Sequence, residues 1–142
     1  MNFGIRQFTL MLMYFTTLPN LAAAEEVSEI DYSGNYVMQG KGFGANDSAY
    51  TGTCSLSLQG TKRDYHVSCY NQDTRHTYVG KGLARGDTLA LFIGDVLQGD
   101  HNAIYAGEYL VLYQRKTDGD LTGIWLHAKS SAAGMETLVR KK

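Results

Sequence analysis

No window of helical length in this chain carries apolar residues at a spacing near 3.6, which excludes a helical bundle. Proline occurs once, as Pro19, so turns beyond it must be made by Gly, Asn, Asp, Ser and Thr. Charge of one sign is lacking too: 13 basic residues face 14 acidic ones, and no lysine run precedes the short Arg140, Lys141, Lys142 tail. That balance points away from nucleic acid. Four histidines are present, His66, His76, His101 and His127, but no two are spaced as a metal-ligand pair on one element. A serine nucleophile elbow, G-x-S-x-G, is absent. The glycine-rich run from Gly40 to Gly44 has no strand-to-helix context, so it does not read as a phosphate loop. The expectation is a protein that is not an enzyme and needs no cofactor.

Long apolar runs are confined to the first 24 residues. Arg6, an apolar stretch from Phe8 to Leu18, and small residues at Ala22 and Ala24 before Glu25 and Glu26 form the pattern of a secretory signal. The stretch is too short to span a membrane. Residues 1–24 are therefore expected to be removed, leaving residues 25–142 as one exported domain, periplasmic or secreted. A membrane-spanning barrel is not expected, because outward strand positions carry Ser55, Ser57, His66, Lys81 and Glu108.

What the chain does have is tyrosine and glycine, ten and 16 residues respectively. Four times a glycine follows a tyrosine at the second position: Tyr32/Gly34, Tyr50/Gly52, Tyr78/Gly80 and Tyr105/Gly107. Residues two apart on a strand share a face. Glycine there lets a sheet bend while an aromatic ring covers the bare backbone. The two cysteines sharpen the picture. With a reversal at residues 60–63, antiparallel pairing sets Leu58 opposite Tyr65, Leu56 opposite Val67, and Cys54 opposite Cys69, all on one face. A slip of one residue would scatter that segregation. In an oxidising compartment the pair is expected to form a disulfide.

The same alternation predicts about eight strands near residues 34–40, 50–59, 64–70, 77–83, 88–94, 104–115, 121–129 and 134–140. An antiparallel up-and-down meander of eight can close into a small all-β barrel, filled or holding one ligand. Tight turns at 60–63, 85–87 and 117–120 fall at one end. Longer loops at 41–49, 71–76, 95–103 and 130–133 fall at the other, where Tyr50, Tyr78 and Tyr105 would ring the mouth. A phenol offers an apolar body and a hydroxyl, which suits small amphipathic molecules. Tyr50, Tyr78, Tyr105, Phe43, His76 and His101 are the candidate ligand-binding residues. The alternative is that these rings merely fill the barrel's end. The last hairpin leaves two registers open. Pairing about Asp118-Gly119 as a two-residue turn puts Tyr113 opposite Ile124 and leaves Leu110, Leu112, Trp125 and His127 on the outer face, a partner surface. A shift of one residue turns Trp125 into the core.

The Gly34-x-Tyr36 opening, the Tyr-x-Gly strand starts and the hairpin from Asp118 to Trp125 resemble the calycin-type small barrels, lipocalin-like and avidin-like. The resemblance covers most of residues 25–142 as pattern, and it implies a barrel with a binding mouth. It departs from the lipocalin pattern in placing the single tryptophan, Trp125, on the seventh strand. Two functions follow as expectations: a soluble exported protein holding a small apolar or aromatic molecule, or an inhibitor that presents its loops to a secreted protein such as a protease or lysozyme.

Overall fold

The computed structural model describes residues 30–44, 47–60, 63–96 and 109–142. Eight strands follow in order: β1 Gly34–Gly42, β2 Ala49–Leu58, β3 Asp64–Asn71, β4 His76–Arg85, β5 Thr88–Asp95, β6 Tyr109–Arg115, β7 Leu121–His127 and β8 Ala133–Arg140. Each pairs antiparallel with its neighbour, and β8 returns to β1, so the sheet closes into a barrel with no free edge. The expected meander is what forms. The proposed cut after Ala24, and the stretch holding His101 and Tyr105, lie outside the described residues.

The β2–β3 hairpin adopts the register read from the cysteines: Leu58 faces Tyr65, Leu56 faces Val67, and Cys54 and Cys69 are bonded across the two strands. Leu58 lies at the rim and stays exposed. The β6–β7 hairpin corrects the two-residue reading. Lys116 N–H donates to the Asp120 carbonyl and Gly119 N–H to that of Lys116, so the loop holds three residues, with Gly119 in the left-handed region at φ 93°. The odd residue moves the register by one. Val111 now faces Trp125 and Tyr113 faces Gly123, which turns Trp125 and His127 inward.

Leu110 and Leu112 remain outside, and the closed sheet extends their apolar surface sideways. Phe92, Leu110 and Leu126 form one outward row across β5, β6 and β7. Leu112, Ile124 and Met135 form a second across β6, β7 and β8. The outward positions of β2 and β3 carry Ser55, Ser57, His66 and Ser68 instead, so the polar exterior expected for the whole barrel covers only part of it. Among the described residues no helix is long and apolar enough to cross a membrane.

Inside, Leu56, Val67, Leu89, Leu91, Val111, Leu121 and Leu138 form a continuous buried core. Aromatic rings do lie over bare backbone, but across strands instead of along them. Tyr50 faces Gly40, Tyr113 faces Gly123 and Trp125 faces Gly134, and a Cβ at any of those glycines would collide with the ring. Three aromatics can thus lie flat against the inner wall.

Tyrosines fill the inside of the tight-turn end. Tyr32, Tyr36 and Tyr65 are each 1% exposed. Tyr32 donates its hydroxyl to the Gly86 carbonyl at 2.9 Å, and Tyr36 donates to the Tyr32 carbonyl at 2.7 Å. The Tyr65 hydroxyl accepts from the Tyr32 amide at 3.1 Å, while its ring meets the Tyr32 ring edge-on. The turn that supplies the Gly86 carbonyl runs through Arg85, Gly86 and Asp87, with Gly86 at φ 59°.

Candidate functional site

At the loop end the described residues leave a hollow. β2, β4, β6 and β7 each place an inward aromatic near this rim, and Tyr50, Tyr78, Tyr109 and Trp125 line a cavity of about 200 Å³. Met38, Ile93 and Val111 supply its apolar wall. The rings form a chain: Tyr78 and Tyr109 meet edge-on with centroids 5.4 Å apart, and Tyr109 meets Trp125 at 6.0 Å and His127 at 4.8 Å. None of the four cavity aromatics is fully buried, in contrast to the tyrosines of the opposite end.

Beneath the aromatics is a carboxyl group. Glu136 stands on β8 between Gly134 and Leu138 and is 7% exposed. Tyr50 donates its hydroxyl to Glu136 Oε2 at 2.8 Å, and Tyr113, from below, donates to Oε1. Burial pushes the Glu136 carboxyl above its ordinary value, and the two phenol hydrogen bonds oppose that shift in part. The same burial, with the carboxyl close by, pushes the Tyr50 and Tyr113 phenols far up. Tyr78, buried beside Tyr109, is pushed up to about 12. Among the described residues the buried Trp125 indole N–H has no hydrogen-bond partner. Each ring is therefore a neutral donor near neutral pH.

Asn71 closes one side of the cavity, 7% exposed, and its side-chain oxygen accepts from the amides of Asp73 and Thr74 at 3.0 and 3.1 Å. That pair of bonds shapes the 72–75 loop, where Arg75 takes φ 59°. Asp73 in turn accepts from the Thr51 amide at 2.6 Å, tying the loop to β2.

Of the residues expected at the mouth, Tyr50 and Tyr78 line the cavity together. His76 sits just outside it, half exposed, paired with Asp95 at 2.7 Å and tilted against the Tyr78 ring at 6.4 Å. Phe43 is at this end but 46% exposed and away from the cavity wall. Tyr105 and His101 lie outside the described residues. Sequence reasoning missed Tyr109 and Glu136 as cavity residues. Both were signalled: Tyr109 is in phase with Val111 and Tyr113, and Glu136 with Gly134 and Leu138, so an acid was due on the inner face of β8.

Among the described residues no group of three or more His, Cys, Asp or Glu is placed to hold a metal ion. A second hollow, about 690 Å³, lies at the tight-turn end of β3, β4 and β5 and is bordered by His66, Lys81, Leu83 and Phe92. It faces the exterior and gathers no buried polar side chain.

Among the described residues, fold and cavity define a closed, disulfide-stapled eight-stranded barrel with a cavity at one end. No protein-family model and no curated protein matches the chain. Among solved structures it is similar to a de novo designed fluorescence-activating beta barrel, with a TM-score of 0.57, 10% sequence identity, and coverage of 78% of this chain and 94% of that one. At that identity the likeness establishes the barrel and nothing finer. No calycin family is confirmed.

Proposed function

We propose that this protein is an exported binding protein that holds a small apolar or aromatic molecule at the open, tyrosine-lined end of the barrel. The observation that carries the reading is the difference in packing between the two ends. Among the described residues tyrosines fill one end, and at the other the rings stand around a space of about 200 Å³. An engineered cavity of roughly 150 Å³ lined by apolar side chains is large enough to take benzene. One aromatic ring with a short arm therefore fits. Convergent polar groups in a mostly apolar recess are the usual equipment of a small-molecule site. The fold is also one on which a fluorescence-activating barrel has been designed. Export rests on the pattern of residues 1–24 and on the disulfide, which persists in oxidising compartments.

The single indole makes the test simple. Adding toluene or 2-phenylethanol should shift the one Trp125 indole N–H resonance saturably, along with ring signals of Tyr78 and Tyr109. Resonances that ignore every such probe would end the reading. Sequencing the N-terminus of protein recovered from its source tests export separately, with Glu25 the expected first residue.

A further inference from the structure

We infer that the ligand of this cavity is an organic cation, an amine or quaternary ammonium carried on an aromatic or short aliphatic body. The inference rests on the binding role proposed above and adds the charge. Its basis is the pairing of a buried acid with an aromatic wall and no base. Among the described residues that line the cavity, Glu136 is acidic and none is Lys, Arg or His. Among the described residues its hydrogen-bond partners are the Tyr50 and Tyr113 hydroxyls.

A buried carboxylate ordinarily has a partner of opposite charge, because desolvation without one is costly. Among the described residues Glu136 has two donors and no counter-charge. An ionised carboxylate has about four acceptor positions, and Tyr50 and Tyr113 occupy two. An ammonium group could take the others.

The walls favour the same ligand. Tyr50, Tyr78, Tyr109 and Trp125 present ring faces and edges around the space above Glu136. Ring faces attract a cation, and most strongly when water is displaced. An inorganic ion fits poorly, since a hard divalent cation needs about six or more oxygen ligands and this recess offers one carboxylate. An anionic ligand would meet Glu136 directly and be repelled. A neutral aromatic would fill the space and bring the acid no opposite charge.

The test compares three phenyl compounds of similar size, phenethylamine, 2-phenylethanol and phenylacetate, by calorimetry and by the Trp125 signal at pH 7.5. The cation should bind at least about tenfold more tightly than the alcohol, a difference of the size expected for one charge-assisted contact plus cation–π attraction, and the anion least of all. In E136Q, which keeps the planar shape but exchanges one acceptor oxygen for an NH2 donor and loses the charge, that preference should collapse to within about twofold. Equal binding of amine and alcohol in the unmodified protein overturns the inference while leaving the binding role standing. So does a preference that survives in E136Q. If none of the three compounds, nor toluene, binds, the binding role falls and the inference with it. The unmodified protein suffices for the first comparison, so the outcome does not depend on E136Q folding.

Discussion

At the tight-turn end, Tyr32, Tyr36 and Tyr65 are buried, and their hydroxyls bond to backbone groups. At the loop end, Tyr50, Tyr78 and Tyr109 are only partly buried and surround a cavity, and the Tyr50 hydroxyl is directed at a carboxylate. The residue type is the same at both ends. What differs is the connection chemistry. Short turns bring backbone carbonyls such as that of Gly86 over the barrel end, where a phenol can reach them and pack. The longer loops supply no such lid among the described residues, so the rings there have space in front of them. One set of tyrosines holds the fold together, and the other shapes the recess.

Exchanging residues between these roles should separate stability from binding. Tyr65→Ala deletes a fully buried ring that touches Tyr32 and should cost about 3–5 kcal/mol in chemical denaturation, as large aromatic deletions in cores do. Tyr78→Ala should cost far less and abolish binding of phenyl probes instead. If both variants lost similar stability and both still bound, the two ends would not differ as described.

The staple comes next in size. It closes a loop of 15 residues between β2 and β3, and replacing Cys54 and Cys69 with alanine should lower unfolding free energy by roughly 3 kcal/mol on the chain-entropy account. A loss near zero would mean the barrel's hydrogen bonding alone holds these strands.

Gly134→Ala sharpens the comparison at the open end. The new methyl would meet the Trp125 indole and the Lys41 carbonyl, so the ring must move toward the cavity. We expect a cost of about 1–3 kcal/mol from overpacking, a shifted tryptophan emission spectrum and weakened probe binding. An unaltered spectrum would show the ring to be less constrained than its position implies.

The smallest effect is on pH dependence. The folded-state pKa of Glu136 is raised above its ordinary 4.5, so the unliganded protein is favoured by the protonated form. That contribution is fully present below about pH 4.5 and is lost as pH rises through the raised folded value. E136Q should therefore flatten the fall in stability between mildly acidic and neutral pH. Parallel pH curves for the two proteins would place the carboxyl in water.

How much of this could be read in advance varies from hairpin to hairpin. The β2–β3 register was legible because Cys54, Leu56, Val67 and Cys69 segregate to one face under one pairing alone. The β6–β7 register was not, since Asp118-Gly119 serves both a two-residue turn and a three-residue loop ending in a left-handed glycine. Only closing the barrel, with Trp125 against Gly134 on β8, selects between them. The outer apolar rows were legible as Leu110 and Leu112 alone; Phe92 and Met135 join them through lateral pairing.

The amino-acid order by itself determined the strands, their alternation, the sulfur pair and which connections are long, because period-two patterning and turn chemistry act over a few residues. It could not assemble the recess. Tyr50 and Glu136 are 86 positions apart, and Tyr113 and Glu136 23 apart, so no local signal joins them. The closed sheet brought those three side chains together, and burial, a property of the whole barrel, set the state of the acid they share.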